Sequence, residues 1–464
     1  METAKSALKY AETLQLSTEA KEQALKETTW AHGLRGVAAV YVVSSHLVLC
    51  YARGLIPPCC APGSPSPSLF QRPILRLVAS GHSWVAIFFI LMGFVNALAP
   101  LRLARSGQVD KALNKLASSS FSRIFRLVLP ATAATIISWF ICNIGLYRTA
   151  GLSDAYWLST TTPRPSKTWL QALQDLLAGL SATWRYGPEN PYDQPQWALL
   201  YLLQGSFMII SALFLTAAMT PAWRTVAMSV LVCWSLNWSR LIGDPWTGLS
   251  CFAGIILAEM SLSGVPEALS DVSHILSPST ILLALLLMSY PSGYPEAAGW
   301  SKWMYEIGAR FLPADNLDRM YGSLGGILLV FGILVSPHAR WALSQKPLEW
   351  LGQVSFAIYL LHGMLLRTVF AWVLHLGQPL APFGQYGDDG QQYRIERYPV
   401  PGFFQCALAT LVLAAGVGGA SQVWNMKLEP LFAKITTKLE GLVTGKYSIE
   451  VKSTESPILP IRKD

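Results

Sequence analysis

The chain has 464 residues, of which 52% are hydrophobic and only 13% are charged, and its mean hydropathy is +0.36. This composition excludes an ordinary soluble globule and predicts a protein that crosses a lipid bilayer many times. The net charge of +8 is interpreted mainly as a topology signal, with attraction to anionic lipid as a second contribution. It gives no reason to expect a nucleic-acid partner.

Ten apolar runs are long enough to cross about 30 Å of hydrocarbon as helices. They predict an all-α fold, a polytopic transmembrane helix bundle. The predicted spans are residues 34–52, 84–100, 125–147, 197–219, 224–240, 246–262, 274–293, 320–336, 349–375 and 402–424. Three parts follow: a cytoplasmic amphipathic segment at 1–29, a membrane domain at 30–440 and a flexible cytoplasmic tail at 441–464.

Basic residues mark the cytoplasmic side of a membrane protein. Here they concentrate after the second span and in the C-terminal tail, at Arg102, Arg105, Lys111, Lys115, Arg123, Arg126, Lys427, Lys434, Lys438, Lys446, Lys452, Arg462 and Lys463. Both chain ends are therefore expected in the cytoplasm, with the long connections at 53–82, 148–196, 294–319 and 377–401 in the lumen. We expect the endoplasmic reticulum or another endomembrane as the location.

The first span carries two ionisable residues, Arg35 near its start and His46 deep inside it. Eleven residues at 100° each make three turns plus about 20°, so both side chains lie on one stripe of the helix, about 16 Å apart. Ionisable groups inside a membrane are costly and indicate function. Arg35 is expected near the cytoplasmic face and His46 about two thirds of the way across the bilayer.

A second buried histidine, His362, lies in the ninth predicted span. Either histidine could simply bond a neighbouring carbonyl. The functional alternative is acyl transfer from a thioester to an alcohol, in which neutral imidazole removes the hydroxyl proton without a covalent intermediate. We favour this alternative for His46 and predict that it is the general base.

Arginine suits the phosphates of coenzyme A because its guanidinium binds phosphate oxygens in a bidentate way. Arg35, Arg123 and Arg126 are all expected at the cytoplasmic ends of their spans, where acyl-CoA arrives. Arg123 and Arg126 could instead be ordinary positive flanks of a span. We predict acyl-CoA as a co-substrate, no permanently bound cofactor and, since the seven cysteines include no C-x-x-C pair, no metal site.

The sequence also contains one glycosylation sequon, at Asn237. It directly follows apolar residues of the fifth predicted span, where a glycosyltransferase would reach it with difficulty. Asn237 stays a candidate for modification.

Five motifs resemble the acyltransferase 3 family of membrane proteins, particularly its fungal branch. They are GLRGVAA at 33–39 followed by His46, FFILMGF at 88–94, RIFRLVLP at 123–130, QW at 196–197 with GS at 205–206, and LGQVSFAIYLLHG at 351–363. Their order and spacing extend over about residues 30–440, and five motifs in order are far more specific than any one alone.

The resemblance implies an integral membrane enzyme of ten helices that moves an acyl group, often acetyl, from CoA to a hydroxyl of a sugar, lipid or natural product. It implies that Arg35 and His46 are the functional pair, and we predict that Arg35 orients either acyl-CoA or His46 itself. The fungal branch includes enzymes that modify secondary metabolites such as terpenoids, meroterpenoids and polyketides. Trp197, Tyr359 and His362 are then expected to shape the pocket for a hydroxylated small-molecule acceptor.

The sequence departs from the family pattern at three positions. Leu202 occupies the place of a usual glutamate on the fourth span, His32 that of a usual acidic residue, and Met92 that of a usual serine. Two candidate acidic partners for Arg35 or a histidine are therefore absent. Tyr201 and Glu259 are the candidates that the sequence offers as replacements.

Other classes of membrane protein remain as alternatives. A transporter of a small metabolite would also bury histidine and arginine, but it predicts an internal repeat, and the Arg35 to His46 pattern occurs once. An acyltransferase that acts on a lipid or sugar fits the same residues. A receptor or scaffold would not require the arginine and histidine stripe.

Overall fold

The computed structural model describes residues 28–59, 67–185, 187, 189–236, 244–313, 316–386 and 392–443. Within this part the chain is mainly helical. The longer helices are α1 Thr28–Tyr51, α2 Gly81–Arg105, α3 Val109–Asn143, α4 Trp169–Ala182, α5 Ala198–Thr216, α6 Pro221–Ser235, α7 Pro245–Leu262, α8 Ser273–Met288, α9 Gly299–Gly308, α10 Leu317–Val335, α11 Lys346–Leu365 and α12 Phe403–Val443.

Short elements complete the fold. A π-helical turn at Leu366–Phe370 and a helical turn at Ala371–Leu374 prolong α11. The other short α-helices are Arg148–Gly151, Tyr156–Thr161, Val265–Ala268 and Pro337–Leu343, and the 3₁₀ turns are Arg53–Leu55, Leu69–Gln71, Leu75–Ala79, Gln194–Trp197, Ser270–Val272 and Pro295–Ala297. Strands Ala381–Tyr386 and Gln392–Arg397 pair antiparallel, with Ala381 opposite Arg397.

Nine helices of the described part are long and apolar enough to cross a bilayer, namely all the longer helices except α4, α6 and α9. A helix satisfies its backbone hydrogen bonds internally, which hydrocarbon requires. The all-α polytopic bundle predicted from composition is thereby confirmed. Helix α6 lies where the fifth span was expected, but residues 237–240 of that span fall outside the described residues, and the tenth crossing stays a prediction.

Two helices extend well beyond the predicted spans. Helix α3 begins at Val109, so most of the basic connection expected between the second and third spans is helical. Ala112 and Leu116 are buried in this extension, and their contacts explain why it continues the helix instead of forming a loop. Helix α12 ends at Val443, later than the predicted limit at 424. Residues 1–27 and 444–464, and the sequon at Asn237, lie outside the described residues.

The long connections meet on one face of the bundle. Arg76, between α1 and α2, donates to the carbonyl of Ser289 at the end of α8. Ser153, after α3, forms a parallel bridge with Tyr398, before α12. Arg53, in the first connection, lies over the ring of Tyr156 in the second. These three contacts place on a single face the connections that were expected to share the lumenal side.

Helices α1 and α11 run side by side, and glycines allow their backbones to approach. A Cβ atom at Gly36 would lie 2.6 Å from the backbone nitrogen of Gly352. Any side chain at this position would lack room, which explains why the LRG motif of α1 and the LG motif of α11 carry glycine where the two backbones meet. Both helices run in the same direction because Arg35 meets Gly352 near one end and His46 meets His362 near the other. This contact places the candidate site.

Candidate functional site

The arginine cavity

The three predicted CoA-binding arginines line one cavity. Arg35 comes from α1, while Arg123 and Arg126 come from α3, and together they border a space of about 420 Å³. We call this space the arginine cavity. Its remaining lining is mostly apolar and includes Phe88 and Phe356. The structure thus brings together residues that lie almost ninety positions apart in the sequence.

Two of the arginines are held by contacts with neighbouring helices. Arg35 donates from Nη2 to the carbonyl oxygen of Gly352 at 2.6 Å, and the same atom lies 3.4 Å from Nδ1 of His32. Arg123 donates to the side-chain oxygen of Asn96. Arg126 is exposed. A buried Nε of Arg35 has no partner in the described part of the chain, so this guanidinium retains an unused donor.

The departures from the family pattern converge on the same cavity. His32, Met92 and Leu202 all line it, and no carboxylate of the described residues does. Glu259, one candidate replacement, is held elsewhere by Arg105 at 2.7 Å and by Arg224, so it does not substitute for the missing acid. Glu429 interacts with Arg126, but the lining itself presents three guanidinium groups and no carboxylate, which makes the cavity attractive to a polyanion.

The histidine pair

His46 and His362 lie next to each other, with ring centroids 5.1 Å apart. We call them the histidine pair. The Trp157 ring also packs against His46, with its centroid at 5.0 Å. Arg35 remains at the far end of the α1 stripe, about 16 Å along the helix from His46. It therefore belongs to the arginine cavity and does not contact the histidine pair.

The two histidines differ in their hydrogen bonds. Nδ1 of His362 lies 2.8 Å from the carbonyl oxygen of Tyr359 and 3.1 Å from that of Ile358. Carbonyl oxygens only accept, so Nδ1 carries the proton and Nε2 holds a lone pair. This Nε2 is buried without a partner, as is Nδ1 of His46 among the described residues.

Tyr359 connects the two parts of the site. It lines the arginine cavity, and its ring centroid lies 6.1 Å from that of His362. Its hydroxyl donates to the carbonyl of Pro195, which fixes the ring between the cavity and the histidine pair. The predicted pocket residues Tyr359 and His362 therefore occupy one continuous region of α11.

Trp197 lies apart from this region. It lines a second cavity of about 1050 Å³ at the face of the long connections, together with Thr161 and Asp175. Its ring centroid is 5.9 Å from that of His82, and the guanidinium carbon of Arg319 lies 5.5 Å from it. The structure thus does not bring Trp197 into the arginine cavity with Tyr359.

An ion pair that was not predicted from the sequence adjoins the histidine pair. Arg367, fully buried in the π-helical turn after α11, lies 3.5 Å from Asp193 and 4.8 Å from the Trp157 ring. Burial raises the pKa of the Asp193 carboxyl to about 6, while the Arg367 guanidinium opposes that change. One sequence signal was present: Arg367 is a lone cation in an apolar run, five residues after His362.

Similarity to known proteins

The family described as an acyltransferase domain matches residues 28–418. The O-acetyltransferase PaAT-1 of Phomopsis amygdali is 26% identical over 384 residues, covering 74% of this chain and 73% of the relative. Acyltransferase clz18 of Cochliobolus lunatus is 24% identical over 75% of this chain and 85% of its own length. Acyltransferase R4 of Phoma sp. is 24% identical over 74% and 85%. No solved structure matches the chain significantly.

Proposed function

This chain belongs to the acyltransferase family that matches residues 28–418, and from that premise we propose that it transfers an acetyl group from acetyl-CoA to a hydroxyl of a secondary metabolite. The membrane-spanning bundle would carry out this reaction in the endoplasmic reticulum or another endomembrane. The observation on which the proposal rests is the convergence of Arg35, Arg123 and Arg126 on one cavity that reaches Tyr359.

The arginine cavity supports CoA as the donor. Its three guanidinium groups would bind the phosphates of CoA, because charge-assisted bonds to phosphate are strong and directional. The pantetheine arm would then extend along the α1 stripe toward His46, a distance of about 16 Å. Tyr359, which borders the cavity and adjoins the histidine pair, marks where the thioester would enter the reacting region.

His46 is the proposed general base. The acceptor oxygen attacks the thioester carbonyl carbon while a ring nitrogen of His46 takes the hydroxyl proton. The new C–O bond forms, the C–S bond breaks, and the proton passes from His46 to the departing thiolate. The products are the ester and CoA with a free thiol, and no covalent intermediate with the enzyme is needed.

Two observations favour acetyl transfer to a secondary metabolite. The relative from Phomopsis amygdali is named an O-acetyltransferase, and the motifs resemble the fungal branch of the family. The cavity is lined by apolar and aromatic side chains such as Phe88 and Phe356, which suits a terpenoid, meroterpenoid or polyketide acceptor. Trp197 lines the second cavity and not the arginine cavity, so it is proposed as a contact for an acceptor that enters from the face of the long connections.

The proposal is tested with microsomes that contain the wild-type chain or its His46→Ala variant. They would receive labelled acetyl-CoA and a hydroxylated metabolite that accumulates in a deletion strain. We expect a product one acetyl group heavier in the wild type, and at least about 10²-fold less of it with His46→Ala, the usual contribution of general-base catalysis. Equal product from both membranes would exclude His46 as the base.

The same assay separates the alternatives. A transporter would carry the metabolite across the vesicle membrane without any need for acetyl-CoA, and its uptake would be unchanged when acetyl-CoA is left out. Label that appears in a lipid or sugar fraction instead of the accumulated alcohol would assign the acceptor to that class.

A further inference from the structure

The histidine pair has two buried nitrogens without hydrogen-bond partners, one on each ring. Nδ1 of His46 and Nε2 of His362 both lack a hydrogen bond in the described part of the chain. A buried polar group without a partner costs free energy. Two such atoms on adjacent rings satisfy each other if one donates and the other accepts.

The separation of the rings fits this pairing. A ring nitrogen lies about 1.2 Å from its ring centre, so a collinear N–H···N bond of about 2.9 Å places the two centroids about 5.3 Å apart. The observed separation is 5.1 Å, with an angle of 42° between the ring planes. With His362 held by its bonds to the carbonyls of Ile358 and Tyr359, rotation of the His46 ring about its own side-chain bonds is the movement that would complete the bond.

The direction of the bond follows from the backbone of α11. Carbonyls of Ile358 and Tyr359 hold the proton of His362 on Nδ1, so Nε2 of His362 can only accept. His46 must therefore donate from Nδ1. Its own Nε2 then carries the lone pair, and this atom is not among the buried, unpartnered atoms of the described residues.

We propose that His362 is a positioning residue for acyl transfer: its Nε2 accepts the Nδ1 proton of His46, fixes the tautomer of His46, and leaves Nε2 of His46 as the nitrogen that takes the acceptor's proton. The inference rests on the proposed function only for the identity of that proton. The orienting group is a neutral imidazole, and the nearby charges of Arg367 and Asp193 are already paired with each other.

Two isosteric substitutions distinguish acceptance at Nε2 from simple packing. The amide oxygen of His362→Gln reaches the position of Nε2 and can still accept, whereas His362→Asn reaches only the position of Nδ1. We expect kcat to fall on the order of 10²-fold in His362→Asn and less than about tenfold in His362→Gln. The KM for acetyl-CoA should not change in either, because His362 does not line the arginine cavity.

Combination with His46→Ala checks the coupling between the rings. In that background His362→Asn should reduce the rate no further, since residues that act as one unit give non-additive losses. Melting temperatures of all variants would be measured on the full chain in lipid nanodiscs. Equal losses of kcat in His362→Asn and His362→Gln, with melting temperatures unchanged, would overturn the positioning role.

A second readout does not depend on acyl transfer. Diethyl pyrocarbonate acylates an unprotonated imidazole nitrogen, and mass spectrometry measures its addition to His46. We expect this addition to be several-fold slower in His362→Asn than in the wild type or His362→Gln. If the wild type transfers no acetyl group but this order of reactivity holds, the proposed function fails and the positioning of His46 stands. Identical reactivity in all three chains would contradict the inference.

Discussion

At the scale of single residues, the three arginines of the arginine cavity differ in what else they do. Arg35 also holds the carbonyl of Gly352, and Arg123 also holds Asn96. Arg126 is exposed and lines the cavity without a hydrogen bond of its own among the described residues. Substitution of Arg126 therefore removes a proposed contact with the donor without breaking a hydrogen bond of the described residues, and it is the cleanest probe of the proposed donor binding.

We expect Arg126→Gln to raise the KM for acetyl-CoA about tenfold while kcat stays within about twofold, because one charged hydrogen bond is worth roughly 1.5–3 kcal/mol and screening by water reduces it. Steady-state kinetics with labelled acetyl-CoA would measure both constants. The matched control is Lys115→Gln, which removes an exposed positive charge from the same helix outside the cavity. An equal rise of KM in the control would refute a specific contact.

At the scale of secondary-structure elements, the contact between α1 and α11 aligns the site. Glycines at positions 36 and 352 let the two backbones touch, and the parallel course of the helices then brings His46 beside His362. A side chain at Gly36 would separate the helices. It would therefore disturb both the fold and the histidine pair.

Gly36→Ala is expected to destabilise the protein by about 1–3 kcal/mol, the usual cost of overpacking, and to lower kcat. Thermal unfolding in nanodiscs and the acetyl-transfer assay would measure the two effects. Gly419→Ala is the control, because a Cβ at Gly419 meets nothing within 4 Å on α12. There alanine should leave activity unchanged and should not lower the melting temperature. Equal behaviour of the two variants would argue against close contact of α1 and α11.

The same elements mark how far the sequence could predict the structure. Periodicity placed Arg35 and His46 on one stripe, since neighbours on a helix face depend only on the chain itself. Periodicity could not predict that α11 packs against that stripe, because Arg35 and Gly352 are 317 residues apart in the sequence. The ion pair of Arg367 and Asp193 could not be predicted for a similar reason, because it depends on a contact between two segments that are far apart in the sequence.

At the scale of the whole molecule, the long connections share one face and are fastened to each other there. Oγ of Ser153 lies 2.7 Å from Nε2 of His375, just beyond the last turn of the α11 segment, and Nδ1 of His375 lies 3.2 Å from the side-chain oxygen of Gln378. The Tyr398 ring stacks on His375 with centroids 5.3 Å apart. Since the amide oxygen accepts from Nδ1, Nε2 accepts the Ser153 hydroxyl.

This junction should loosen in acid. Burial lowers the pKa of His375 below its ordinary value of 6.5, so the folded protein holds it neutral more strongly than the unfolded chain does. The contribution of neutral His375 to the free energy of unfolding is therefore fully present above pH 6.5. It is lost as the pH falls from 6.5 through the lower pKa that His375 has in the folded protein. Protonated His375 cannot accept a hydrogen bond from Ser153. Limited proteolysis of connections 148–196 and 377–401 should therefore accelerate as the pH falls from 7.5 to about 5.

The His375→Gln variant keeps an acceptor near Ser153 but has no titratable group, so its cleavage rate should vary much less over that range. A wild-type rate no more sensitive to pH than that of His375→Gln would show that the junction does not depend on the charge of His375.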